Sequence, residues 1–217
     1  MSVPIPESEI KEKVLRFFSR HQIRQYDEGQ TIAIPGDSLS GVSYIKKGLI
    51  LQYSLNAKGE KTILNSFKPG AFYPMSSAIN QTPLEYFFEA KEQTTVFLAP
   101  IEEACQFIYD NPDVMYNLLS RVYRGTDGLL RSLSLLMGGD AKSRIINELL
   151  TFNQRFGTTN GKGDFVLLIT EAELGCRTGL SRETISRTLH DLKEKSLVTV
   201  KRGKIELHDT VALQALL

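Results

Sequence analysis

Near the C-terminal end of the 217-residue chain, Arg182, Glu183, Ser186 and Arg187 have the types and spacing needed to read base pairs. On a helix, Glu183, Ser186, Arg187 and His190 share one face, because side chains three, four and seven positions apart lie above one another. An arginine donates two hydrogen bonds to guanine O6 and N7, and a glutamate accepts one from the cytosine amino group. The set therefore suits a DNA half-site containing G·C pairs. Ser181, Thr184, Lys201 and Arg202 flank this face with hydroxyls and cations suited to phosphate, contacts that position a protein on duplex DNA without specifying sequence. His190 fits either a base contact or a solvated surface position. The bland alternative is an exposed helix decorated with charge. Against it stands the segregation of Ile185, Leu189 and Leu192 onto the opposite face.

The flanking sequence builds such a helix. Thr170-Glu171-Ala172-Glu173 has the form of a capping box and starts a helix that should end by Gly179. Gly179-Leu180-Ser181 makes a tight turn, and Ser181 caps a second helix from Arg182 to about Lys195. Two short helices about such a turn form a helix-turn-helix. Val198–Lys201 and Lys204–Leu207, joined by Arg202-Gly203, form a hairpin that serves as a wing. Upstream lie a helix over Lys142–Phe156, a Gly-rich loop over 157–164 and a short strand over Phe165–Ile169.

Before this module, Asn111-Pro112-Asp113 opens a long helix, with Asn111 as N-cap and Pro112 at the first helical position. Met115, Leu119, Val122, Thr126, Leu129, Leu133 and Leu136 alternate at spacings of four and three, a heptad seam with one polar member. The helix spans roughly 39 Å at 1.5 Å per residue. It serves either as a core helix lying across the N-terminal domain or as a two-stranded dimer interface, and the sustained 3.5-residue period favours the interface. Gly138-Gly139-Asp140 ends it, with glycine expected in the left-handed cap conformation and a hinge at this point.

From about Ile23 to Pro100, short β-branched or aromatic runs alternate with Gly-bearing turns. These runs are Thr31–Ile34, Val42–Ile45, Leu49–Tyr53, Thr62–Phe67, Phe87–Ala90 and Thr94–Leu98. They predict a compact antiparallel β-barrel or roll. Ile10, Val14, Leu15, Phe17 and Phe18 predict an amphipathic helix ahead of it. The expected fold class is α+β, with a roll over 1–110, a dimerisation helix and hinge over 111–139 and a winged helix over 140–217.

Apolar residues make up 41% of the chain and charged residues 24%, ordinary values for a water-soluble protein, and no run is long enough to span a bilayer. The N-terminus lacks a basic stretch followed by an apolar one, so no secretory signal is expected and the protein is placed in the cytoplasm. Cys105 and Cys176 are too few and too far apart for a disulfide framework or structural zinc site, and read as small buried hydrophobes. Net charge is +1, but Arg177–Lys204 holds 8 basic and 3 acidic residues, the local excess expected of a phosphate-facing surface.

Gly179-Leu180-Ser181-Arg182-Glu183-Thr184-Ile185-Ser186-Arg187, preceded by Ile169 to Leu174 and followed by the wing, resembles the recognition-helix signature of the Crp/Fnr transcription regulators. The resemblance covers nearly the whole chain, in the order β-roll sensor, long dimerisation helix, hinge and winged helix. It implies a homodimer bound to an inverted-repeat operator, with Arg182, Glu183 and Arg187 reaching base edges. It further implies double-stranded DNA and RNA polymerase as partners, and a small-molecule effector in the roll. Cyclic-nucleotide-binding members carry a Gly-Glu pair and an Arg followed by Ser or Thr around the phosphate. This chain has Gly70-Ala71 and Leu84-Glu85 there, and Leu129 and Leu130 where hydroxyls meet the base. A phosphate diester needs a cation or many donors, so cyclic AMP is not expected.

An iron–sulfur cluster wants about four thiolates, and His21, His190 and His208 lie outside the roll strands, so neither cluster nor haem nor metal is expected. Phe72, Tyr73, Ser76 and Ser77, with Tyr86 and Phe88, either fill the core or line a pocket for a small organic effector. Two other readings remain open at this point: a regulator that needs no effector, and a small-barrel metal enzyme. The enzyme would need two or three histidines with a carboxylate inside the barrel. No catalytic residues are assigned.

Overall fold

The computed structural model describes residues 6–217. The reading of residues 1–5 as part of an N-terminus without a secretory leader lies outside the described residues. The chain divides into two compact units between Tyr123 and Arg124.

In the first unit, α1 (Glu7–Phe18) buries Ile10, Val14 and Phe18 at steps of four, whereas Leu15, expected inside, lies just off the stripe and is 40% exposed. There follow β1 (Gln22–Tyr26), β2 (Thr31–Ala33), β3 (Val42–Lys47), β4 (Ile50–Leu55), β5 (Lys61–Phe67) and β6 (Phe72–Tyr73). After them come α2 (Met75–Asn80), β7 (Phe87–Ala90), β8 (Thr94–Ala99) and α3 (Ile101–Asp110). The strands form two antiparallel sheets, ordered β1-β8-β3-β6 and β2-β7-β4-β5. Alternation along β3 explains the burial of its first four residues: Val42 and Tyr44 join Phe18 and Phe97 on the helix side, while Ile45 joins Ile50, Phe88 and Val96 in a second cluster. Each fully buried side chain of this size stabilises the roll by about 1.5–3 kcal/mol.

β1, β6, α2 and α3 were not predicted from the sequence pattern. β1 is polar at most positions and owes its conformation to pairing with β8, from Gln22↔Leu98 to Tyr26↔Thr94. The long helix α4 (Pro112–Gly138) begins where predicted. Asn111 differs in part: its carbonyl accepts from Met115 N–H at 3.0 Å, but its side-chain amide donates to Phe107 O at 2.7 Å and so closes α3. Val114 is the buried residue of α4, and Met115, Leu119, Val122, Leu129, Leu133 and Leu136 are 41% to 66% exposed. The expected left-handed glycine at its end is absent, since neither Gly138 nor Gly139 has positive φ. Gly139 instead allows close approach: a Cβ there would meet Leu135 O at 2.8 Å.

The second unit holds α5 (Ala141–Phe156), β9 (Thr158–Thr159), β10 (Phe165–Leu167), α6 (Glu171–Thr178) and α7 (Arg182–Glu194), then β11 (Val198–Lys201), β12 (Lys204–Leu207) and α8 (Thr210–Gln214). Asp140 caps α5 by accepting from Ser143 N–H at 2.7 Å. The sheet order is β11-β12-β10-β9, and Ile145, Leu149, Leu174, Ile185, Leu189 and Leu192 form the core beneath it. Among the described residues no helix is long and apolar enough to cross a membrane.

Candidate nucleic-acid interface

The turn between α6 and α7 is set by two local devices. Gly179 takes φ of 65°, a left-handed conformation that costs other residues strain, and its N–H closes α6 on Gly175 O at 2.8 Å. Ser181 Oγ accepts from Thr184 N–H at 3.2 Å and lies 2.9 Å from Thr184 Oγ1, so both hydroxyls take part in capping α7. Thr170 caps α6 through Glu173 N–H at 3.1 Å. The side chain of Arg144 on α5 donates to Thr178 O and pins the end of α6, a role the sequence did not signal.

With Ile185, Leu189 and Leu192 fully buried, α7 turns Arg182, Glu183, Ser186, Arg187 and His190 to solvent. Arg187 Nη2 pairs with Glu183 Oε1 at 2.6 Å, and both side chains are largely exposed. The pair holds a donor fork and an acceptor side by side along the helix.

Charge is distributed differently from what the basic run implies. Arg177 is buried on the core side, bound to Glu173 at 2.8 Å and lying 3.6 Å from Glu148, with its guanidinium 4.9 Å from the Phe152 ring centre. At the wing, Lys201 and Lys204 reach Glu206 at 2.8 and 2.9 Å, and their hydrogen bonds, helped by their charges, hold its carboxyl below the ordinary glutamate range. Arg202 stands exposed at the turn, where Gly203 has φ of 75°. The base of the wing carries a chain of three side chains the sequence did not flag. His208 Nδ1 lies 3.0 Å from Asp164 Oδ1 and Nε2 lies 2.8 Å from Thr199 Oγ1, which joins the 157–164 loop to both wing strands. Asn160 Oδ1, accepting from Lys162 and Asp164 N–H, shapes that loop; an Asn four residues before Asp was the available signal.

In the roll, a cavity of about 190 Å³ lies among β1, the 37–41 loop, Tyr73, Leu84 and Phe88. Of the six residues foreseen for an effector, Tyr73 and Phe88 line it; Phe72 packs in the helix-side cluster, Ser77 is buried, Ser76 is exposed, and Tyr86 packs beside Leu84. Ala71 and Leu84 are buried in one apolar cluster, and Glu85 is exposed. Among the described residues no three His, Cys, Asp or Glu side chains converge as a metal site.

Two short helices about a tight turn, a hairpin wing and an exposed donor-and-acceptor face define a DNA-binding regulator of the winged-helix class. A sequence model described as a Crp-like helix-turn-helix domain matches residues 143–216, and one described as a cyclic nucleotide-binding domain matches 23–111. The global nitrogen regulator of Synechocystis is 26% identical over 198 residues, covering 88% of this chain and 86% of its own. The cyclic AMP receptor protein of Thermus thermophilus is 26% identical over 203 residues, covering 94% and 91%. Among solved structures, a mutant of CooA from Carboxydothermus hydrogenoformans superposes with a TM-score of 0.79 at 19% identity, covering 94% of each chain. FixK2 of Bradyrhizobium japonicum superposes at 0.73 with 20% identity, covering 90% and 96%. The chain belongs to the Crp/Fnr family of DNA-binding transcription regulators.

Proposed function

We propose that the protein acts in the cytoplasm as a homodimer on an inverted-repeat operator, without catalytic activity of its own. Three segments divide the work: residues 1–110 sense, 111–139 dimerise and hinge, and 140–217 bind DNA. The observation that carries the reading is the exposed face of α7, where Arg182, Ser186 and the Glu183–Arg187 pair face solvent above a buried underside. Arg182 and Arg187 donate to guanine, Glu183 accepts from cytosine, and Ser181, Thr184, Lys201 and Arg202 contact phosphates. The exposed seam Met115, Leu119, Val122, Thr126, Leu129, Leu133 and Leu136 pairs with its symmetry mate and sets half-sites roughly 34 Å apart on one side of the duplex. DNA and RNA polymerase are the macromolecular partners. The roll answers to a small molecule held near Tyr73 and Phe88, not to cyclic AMP, haem or an iron–sulfur cluster.

Selection of bound sequences from random duplex DNA tests this. An inverted repeat with G·C pairs in each half is expected, and Arg182→Ala or Arg187→Ala should cost on the order of 1–3 kcal/mol per half-site and relax preference at one position. Unchanged base preferences in both variants would remove these residues from direct readout.

A further inference from the structure

We propose that the cavity beside β1 is a binding site for a small zwitterion, namely an α-amino acid with a hydroxyl or amide in its side chain. Of the residues that the resemblance places at a cyclic phosphate, Leu84 lines this cavity and Gly70, Ala71 and Glu85 do not, so the two places adjoin without coinciding. Three observations carry the inference.

The first is an unsatisfied group. Tyr73 is 3% exposed and lines the cavity, yet its hydroxyl has no hydrogen-bond partner among the described residues. Buried hydroxyls are almost always paired, because losing water without a replacement is costly. Burial also pushes this phenol well above its ordinary range, with Tyr26 adding to the effect and the neighbouring Ser43 hydroxyl, which does not meet it in full hydrogen-bond geometry, opposing it, so the hydroxyl keeps its proton and can donate. The second is the pair of charges on the cavity wall. Arg24 is half-buried and Asp37 is exposed at the cavity rim, its Oδ2 accepting from Ile34 N–H at 3.0 Å, and among the described residues neither makes an ion pair. A plain carboxylate would gain from Arg24 and be repelled by Asp37; a zwitterion satisfies both. The third is size and lining. The volume of about 190 Å³ corresponds to about six waters at ~30 Å³ each, room for a molecule the size of serine, threonine or asparagine. Leu84 and Phe88 offer apolar contact beside the Tyr73 hydroxyl.

The carboxylate of the ligand is bound by Arg24, its ammonium by Asp37, and its side-chain oxygen accepts from Tyr73. Whether this ligand is the effector rests on the regulator reading above; its binding does not.

Titration calorimetry on the full chain without DNA, using serine, threonine, asparagine and glutamine, tests the site. At least one should bind saturably below about 10 mM, and its counterparts lacking the amine or the carboxylate should bind about tenfold more weakly. Tyr73→Phe and Arg24→Gln should each weaken binding about tenfold, and Asp37→Asn should abolish the preference for the amine-bearing form. Thermal melts confirm that each variant is folded. No saturable binding by any of the four, equal binding by the amine-free acids, or unaltered affinity in Tyr73→Phe and Arg24→Gln would each overturn the proposal. Operator affinity, measured separately by fluorescence anisotropy, reports on the regulator reading and not on the site.

Discussion

The carboxyl of Glu148 is held up to about 7 because burial outweighs the attraction of Arg177, whose guanidinium is already engaged by Glu173. In the unfolded chain it titrates near 4.5. A folded value above the unfolded one means that the group's contribution is complete below about pH 4.5 and is lost as pH rises through about 7. Glu148→Gln keeps the shape and removes the charge. The variant should therefore be more stable than the parent by on the order of 2 kcal/mol at about pH 8 and nearly equal to it at about pH 4.5. Urea unfolding at the two values measures this, and equal stability at the higher pH would refute it. Asp164 and Glu206 are shifted the other way, by His208 and by Lys201 and Lys204 respectively, so their losses come only in acid. The same Glu206 separates the two wing cations expected at phosphate. Arg202 is exposed and makes no ion pair among the described residues, whereas Lys201 must leave or share its carboxylate to meet DNA. Arg202→Ala should lower the slope of log K against log salt by about one, and Lys201→Ala by clearly less. Equal reductions would mean that Glu206 releases Lys201 at no cost.

At the scale of elements, α4 poses a problem that the single chain does not solve. Six apolar seam residues stand 41% to 66% exposed along a 27-residue helix, while Thr126 is exposed among them. Pairing with a second copy would bury the stripe, and Leu129→Glu with Leu133→Glu would bury unpaired charge there. The double variant should sediment as a monomer with unchanged helical content, since both side chains are at least 50% exposed in the single chain. Its operator binding should fall sharply; unchanged dimer mass would refute the interface. This helix and α7 were legible in the sequence because caps and apolar period lie within each segment, as with Pro112, Ser181 and the Ile185 to Leu192 stripe. β1, β6 and α2 were not, because their conformation depends on partners elsewhere in the chain: β1 on β8, and β6 on Ser43 and Tyr44 of β3. The capture of both wing lysines was nearly legible. A two-residue turn at Arg202-Gly203 fixes Lys201 opposite Lys204 and Thr199 opposite Glu206, which puts Glu206 on the face of both lysines.

For the molecule as a whole, a shared fold does not fix what the roll binds, because ligand choice lives in the side chains that line the site. Residues 23–111 match a cyclic nucleotide-binding domain, and the resemblance places Ala71, Leu84 and Glu85 where such a domain would meet a cyclic phosphate. Ala71 and Leu84 are 7% and 6% exposed and belong to one apolar cluster with Ile45, Ile50, Phe88 and Val96. A diester anion placed beside them would give up its hydration without a cation or a set of donors in return, a loss of several kcal/mol that base stacking would have to offset. Glu85, on the next residue, adds repulsion. Calorimetric titration with cyclic AMP should accordingly show no binding at physiological concentration, and operator affinity should be the same with and without it. Saturable micromolar binding accompanied by tighter operator affinity would show that other groups, such as the Arg121 guanidinium 3.5 Å from Gly70 O, replace the missing contacts. Arg121→Ala would then abolish the binding. Without such binding, Arg121 serves to fasten α4 to the turn before β6, where its guanidinium also lies 5.7 Å from the Phe72 ring centre, and its removal should alter stability but no nucleotide response.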